Sequence, residues 1–166
     1  AGTGDGMTPA STLGPVHNAA QQGRLHAMIE EARTLGKVVA EGACPAEGFF
    51  IPPMVIRDLP DHARLVQEER FGPVIPVLPF DDVDEAITRA NASDYALGGS
   101  VWSGDAKRGL EVAARLRTGL VWVNRVFDLP FDVPLGGARH SGMGRHQGIE
   151  GVEEFTQTRI VNVALG

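Results

Sequence analysis

Cysteine is nearly absent from this chain: Cys44 is the only one, so an internal disulfide is excluded and a reducing compartment is the natural reading. The cytoplasm is the expected location. A surplus of positive charge is missing too. With 15 Lys and Arg against 21 Asp and Glu, the formal charge of −6 offers no broad electropositive face, so neither nucleic acid nor an anionic membrane is expected as a partner. A small ligand or another protein suits the composition better. No apolar run reaches the length of a membrane-spanning helix, and the opening Ala1-Gly2-Thr3-Gly4-Asp5-Gly6 has neither the basic nor the apolar region of a secretory signal. It also lacks an initiator methionine and reads as the middle of something longer, although a trimmed chain would look the same. Metal-ligand spacing is missing as well: His17, His26 and His62 are isolated, and His140 and His146 lie in a glycine-rich loop, so no metal is expected.

What remains is the makeup of a globular domain. A chain of 166 residues can bury roughly 70% of the surface its unfolded form exposes. The 21 Gly and 11 Pro imply tight turns between short elements. Residues 1–17 read as a loop, with Asn18 as the cap of a helix over Ala19–Leu35. Leu25, Met28, Ile29 and Ala32 form its apolar stripe, and Gly36 stands where a left-handed C-terminal cap is wanted. Val38-Val39-Ala40, Phe49-Phe50-Ile51 and Met54-Val55-Ile56 read as short strands, Pro52-Pro53 forcing an edge or bulge between the last two. His62 to Glu69 has room for a two-turn helix. Val74 to Phe80 reads as a strand despite Pro76 and Pro79, and Asp81 as the cap of the helix that carries Val83, Ala86, Ile87 and Ala90 on one face. Gly98 to Trp102 is a strand, Asp105 caps a helix through Leu116, Gly119 stops it, and Leu120–Val123 is apolar on both faces, as a buried parallel strand is. Strand and helix alternate from Val74 to Val123. The expected fold class is therefore α/β, a mainly parallel sheet covered by helices. Beyond Asn124 the pattern breaks for more than twenty residues, a length that marks a functional connection; a short helix over Ile149–Phe155 and a strand over Thr158–Leu165 close the chain.

Cys44 lies in the acidic turn Glu41-Gly42-Ala43-Cys44-Pro45-Ala46-Glu47-Gly48, where neighbouring carboxylates oppose a thiolate, so it reads as incidental rather than nucleophilic. Gly2-Thr3-Gly4 and Gly142-Met143-Gly144 lack the strand before and the helix after that a dinucleotide fingerprint needs. Glu68-Glu69-Arg70-Phe71-Gly72-Pro73 is more telling. Taken alone, it is a charged helix end, a core aromatic and a turn. Its alternative use is a carboxylate accepting hydrogen bonds from two adjacent ribose hydroxyls, beside an aromatic ring packed on a flat nicotinamide.

That segment resembles the Glu-x-Phe-Gly-Pro motif of the aldehyde dehydrogenases. Further segments agree with that family in order: Asp5-Gly6-Met7-Thr8-Pro9 with Leu13-Gly14-Pro15; Asn91 through Tyr95-Ala96-Leu97 to Val101-Trp102-Ser103; Gly119 through Asn124; and Pro134-Leu135-Gly136-Gly137 with Ser141-Gly142-Met143-Gly144-Arg145. The resemblance implies that Glu69 and Phe71 bind the cofactor, NAD or NADP in the complete enzyme, and that Phe127, Leu129 and Leu135 line the tunnel of a small-molecule aldehyde. It implies no catalytic residue in this chain, because the nucleophilic cysteine, the general base and the dinucleotide-binding domain lie upstream. Residues 1–157 would be the C-terminal part of the catalytic domain and 158–166 the final strand of the oligomerisation region, in a homodimer or homotetramer. Leu135 replaces an aromatic residue common in the family, Arg139 a Lys and His146 a Glu. The competing reading is a stand-alone noncatalytic dimerisation or interaction module derived from the same fold.

Overall fold

The structure, a computed structural model, describes residues 2–166. The chain divides into two compact units, one ending at Asp81 and the other running Asp82–Gly166.

The first unit contains α1 (Ala19–Leu35), β1 (Lys37–Glu41), β2 (Met54–Arg57), α2 (Arg64–Gln67) and β3 (Val74–Val77). Helix α1 starts where expected because the Asn18 carboxamide oxygen accepts the Gln21 N–H at 2.9 Å. Its predicted stripe, Leu25, Met28, Ile29 and Ala32, is buried. Leu25, Ile29 and Ala32 share one core with Met54 and Ile56 of β2 and Val74 of β3, each large aliphatic side chain contributing about 1.5–3 kcal/mol on leaving water. The sheet has the order β1-β2-β3. β2 and β3 run parallel with Met54 opposite Val74 and Ile56 opposite Pro76, while β1 is antiparallel to β2 with an irregularity between Val38 and Ala40. Pro76 has no N–H to donate and is accommodated because β3 ends that order.

The second unit contains α3 (Val83–Asn91), β4 (Gly98–Val101), α4 (Ala106–Ala113), β5 (Leu120–Val123) and α5 (Gly148–Glu153). β4, α4 and β5 make a βαβ unit, the strands parallel in a register from Gly98 opposite Leu120 to Val101 opposite Val123. The Asp105 carboxylate starts α4 by accepting the N–H groups of Lys107 and Arg108. The expected α/β class, with parallel strands and covering helices, is what forms.

Several elements differ from expectation, each for an identifiable reason. Phe49-Phe50-Ile51 is not a strand: the Val16 N–H donates to the Phe49 carbonyl at 2.8 Å and the Gln22 side chain to that of Phe50 at 3.1 Å, so these acceptors are satisfied by the loop and α1. Helix α3 is capped by Asp82 rather than Asp81, its carboxylate accepting the Glu85 N–H. α2 makes one turn instead of two, and α4 stops at Ala113, short of Leu116. Gly36 is extended, not left-handed; its glycine identity answers to a close approach, since a Cβ would lie 2.7 Å from the Arg57 carbonyl oxygen. Thr158–Leu165 pairs with no strand among the described residues.

Candidate functional site

Backbone tethering shapes the turn after α2. Two side chains of α1, one helical turn apart, hold its carbonyls: Arg24 Nη2 donates to Glu69 O at 2.7 Å, and Gln21 Nε2 donates to Arg70 O at 2.6 Å and Phe71 O at 3.4 Å. Pulling these oxygens toward the helix turns alternate side chains outward. Glu69 is exposed, and Phe71, with φ at 36°, is 76% exposed. Arg70 between them folds back, its Nε donating to Val74 O at 2.6 Å, and burial lowers its pKa. A bulky residue in the left-handed region costs on the order of 1 kcal/mol, and it persists where surrounding contacts over-determine it.

The two neighbouring carboxylates have different fates. Glu68 accepts from Arg64 Nε at 2.7 Å and Arg24 Nη2 at 3.2 Å. The Arg64 hydrogen bond, seconded by Arg24, holds its carboxyl below the usual carboxylate range. Glu69, by contrast, has no side-chain hydrogen bond or ion pair among the described residues, which leaves both oxygens free to accept from a ligand. Phe71, Gly72 and Pro73 form one wall of a groove of about 890 Å³ whose other walls are Leu13–Asn18 and the first turns of α1, including Gln21 and Arg24. Glu69 stands on the same turn, beyond that wall. An acceptor-only carboxylate and an exposed ring at alternate positions fit a ribose and the flat ring it carries.

In the second unit, the connection after β5 is irregular but tied down. Asn124, at φ 55°, accepts the Ser103 N–H at 2.8 Å and donates to the Ser103 carbonyl at 2.9 Å. Phe127, at φ 56° and 81% exposed, sets its ring 6.2 Å from that of Trp122, whose indole N–H donates to the Asp128 carbonyl at 2.7 Å. Leu129 and Leu135 are half-buried, and Leu135 exchanges both backbone hydrogen bonds with His146 at 2.7 Å. Phe127 and Leu135 are thus held by separate contacts. The glycine-rich stretch is held by Arg145, whose Nη1 donates to the carbonyls of Gly137, Met143 and Gly144 at 3.0, 3.1 and 2.9 Å. Arg139 donates to the carbonyls of Asn91 and Ser93.

Sequence reasoning singled out none of Gln21, Arg24, Asn124 or Arg145 for these tasks. For the first two a signal existed: polar residues three apart in α1, outside its apolar stripe. Asn124 and Arg145 act on backbone carbonyls whose position no local pattern reveals. Cys44 is half-buried in the irregular segment between β1 and β2.

The fold is an α/β scaffold in which one tethered turn directs outward a carboxylate with no partner among the described residues and an exposed aromatic ring. The chain belongs to the aldehyde dehydrogenase family, which it matches over residues 2–161. Over 98% of its length it is 39% identical to a betaine aldehyde dehydrogenase of Rhizobium etli, and 38% identical to a succinate-semialdehyde dehydrogenase of Paenarthrobacter nicotinovorans. It spans only about a third of those proteins, 34% and 36% respectively. The Mycobacterium tuberculosis aldehyde dehydrogenase complexed with NAD+ superposes on 94% of this chain with a TM-score of 0.85 at 38% identity, the matched part being 33% of that chain.

Proposed function

We propose that this chain is the C-terminal part of the catalytic domain of an NAD(P)-dependent aldehyde dehydrogenase, closed by the final strand of its oligomerisation region, and that the complete cytoplasmic enzyme oxidises an aldehyde to a carboxylic acid. The observation that carries the reading is the contrast between Glu68, engaged by two arginines, and Glu69, exposed beside an exposed Phe71 and without a side-chain partner among the described residues. The superposing Mycobacterium enzyme is complexed with NAD+, which supports a nicotinamide cofactor for the complete enzyme.

In that role Glu69 accepts hydrogen bonds from the two hydroxyls of the nicotinamide ribose, and Phe71 packs beside the ring and keeps water from it. Bound NAD(P)+ supplies the hydride acceptor. On this reading the thiolate that attacks the aldehyde and the base that activates the hydrolytic water come from residues beyond this chain: Cys44 lies between β1 and β2, away from any helix N-terminus, and its thiol has no hydrogen-bond partner among the described residues. Phe127, Leu129 and Leu135 give the aldehyde an apolar approach.

The test is Glu69→Gln in the full-length protein. Losing the anionic acceptor removes charge-assisted hydrogen bonds worth about 1.5–3 kcal/mol, so hydride transfer in a single turnover is expected to slow by about tenfold or more. An unchanged single-turnover rate removes the assigned role.

A further inference from the structure

The geometry points to Glu68 as a positioning residue that sets the presentation of Glu69 and Phe71 by holding Arg24 in place; this inference rests on the cofactor-binding role proposed for those two residues. Arg24 Nη2 is a shared node, donating at 3.2 Å to the Glu68 carboxylate and at 2.7 Å to the Glu69 carbonyl. A guanidinium on a long, flexible side chain gives up rotamer freedom to hold one carbonyl, and a second partner for the same nitrogen offsets that cost and fixes its orientation. Glu68 is that partner. It is itself anchored from the other side, where Arg64 Nε donates to it at 2.7 Å and Arg64 Nη2 at 3.4 Å. Arg64 is steadied in turn, its backbone N–H donating to Glu31 of α1 at 3.3 Å. The chain of contacts therefore runs from α2 through Glu68 to Arg24 and ends on the backbone of the residue whose carboxylate meets the ligand.

Gln21 cannot replace this tether, because its amide is committed to the next two carbonyls, Arg70 O and Phe71 O. With Glu68 gone, Arg24 keeps one neutral acceptor and regains its rotamers, and the Glu69 carbonyl loses its defined position. Adjacent acidic residues thus divide the labour: Glu68 faces the scaffold and Glu69 faces the ligand.

The test is a double-mutant cycle in the full-length protein, combining Glu68→Gln with Glu69→Gln and reading the single-turnover hydride-transfer rate. A structural readout comes from backbone amide exchange of residues 69–74, with and without NAD+. Glu68→Gln is expected to slow hydride transfer about fivefold when Glu69 is present and less than twofold when Glu69 is already Gln, because coupled residues are non-additive. In free Glu68→Gln protein the amides of residues 69–74 should exchange several-fold faster, and NAD+ should protect them less. Glu41→Gln, which removes a carboxylate paired with Arg33 outside this chain of contacts, should leave the rate unchanged. If Glu68→Gln yields no folded protein, Glu68→Asp, which keeps the charge but is too short to reach both arginines, carries the same cycle. An equal Glu68→Gln effect in both Glu69 backgrounds, unaltered exchange, or an equal loss in Glu41→Gln overturns the positioning role alone. If Glu69→Gln by itself changes nothing, the cofactor reading fails and this inference falls with it.

Discussion

Glu68 and Glu69 are adjacent, chemically identical and differently employed, and the difference has a pH signature. The Arg64 hydrogen bond, reinforced by Arg24, depresses the folded-state pKa of Glu68 below the unfolded value of about 4.3. A depressed carboxyl pKa contributes stability that is fully present above the unfolded value and is lost as pH falls through the folded one. Both partners of the Arg24–Glu68 pair are about a third exposed, at 34% and 38% of side-chain area, so solvent and salt screen the contribution. Thermal unfolding followed from pH 6 down to pH 3 should therefore decline less steeply in Glu68→Gln than in the wild type. Salt at molar concentration should narrow the gap at pH 6. Parallel declines would show that the arginine contacts add nothing to stability.

At the scale of elements, two glycines predict opposite outcomes for the same substitution. Gly23 lies inside α1, exposed, with nothing within 4 Å of where a Cβ would stand. Gly23→Ala should therefore raise stability by about 0.5–1 kcal/mol, through reduced backbone freedom in the unfolded chain. Gly119 precedes β5, and a Cβ there would sit 1.6 Å from the Gly136 carbonyl oxygen. Gly119→Ala must push the glycine-rich stretch aside and should destabilise by about 1–3 kcal/mol. Chemical denaturation of the two variants checks both signs. The pair also shows what the sequence could and could not convey. Helix α1 was legible to the residue, from the Asn18 cap to the end at Leu35, because stripe, cap and breaker are all local. The βαβ unit was legible for the same reason. Gly36 and Gly119 were read as helix stops, yet the structure gives them a further reason, contact with backbone distant in sequence, and such contacts leave no local trace. Phe49–Ile51 failed similarly: its apolar run matches a strand, but the two prolines that follow and the donors from Val16 and Gln22 direct its carbonyls elsewhere. In the candidate site, the outward-facing Glu69 and Phe71 were identifiable by motif, whereas the tethers behind them were not.

At the scale of the molecule, the proposed function puts both chemistry and assembly partly outside this chain. Activity should be absent from the isolated polypeptide: with no thiolate to attack an aldehyde, NAD(P)+ reduction should not rise above background, and turnover abolished by Cys44→Ser would reverse the reading of that residue. Assembly is the more demanding case. Residues 158–165 pair with no strand among the described residues, yet Ile160, Val161, Val163 and Leu165 are 86%, 70%, 69% and 94% exposed. A β-branched, apolar segment with unpaired backbone groups is a template for pairing with another chain, and several exposed apolar side chains in sequence add a hydrophobic incentive. We therefore expect concentration-dependent self-association at micromolar concentration, read by light scattering. Val161→Asp combined with Val163→Lys should return the chain to monomer. Because those side chains are exposed, the unfolding transition extrapolated to low concentration should not move, which separates lost pairing from lost folding. A wild-type chain that stays monomeric at every concentration would exclude this segment as an association strand on its own, and would leave assembly to surfaces supplied by the rest of the enzyme.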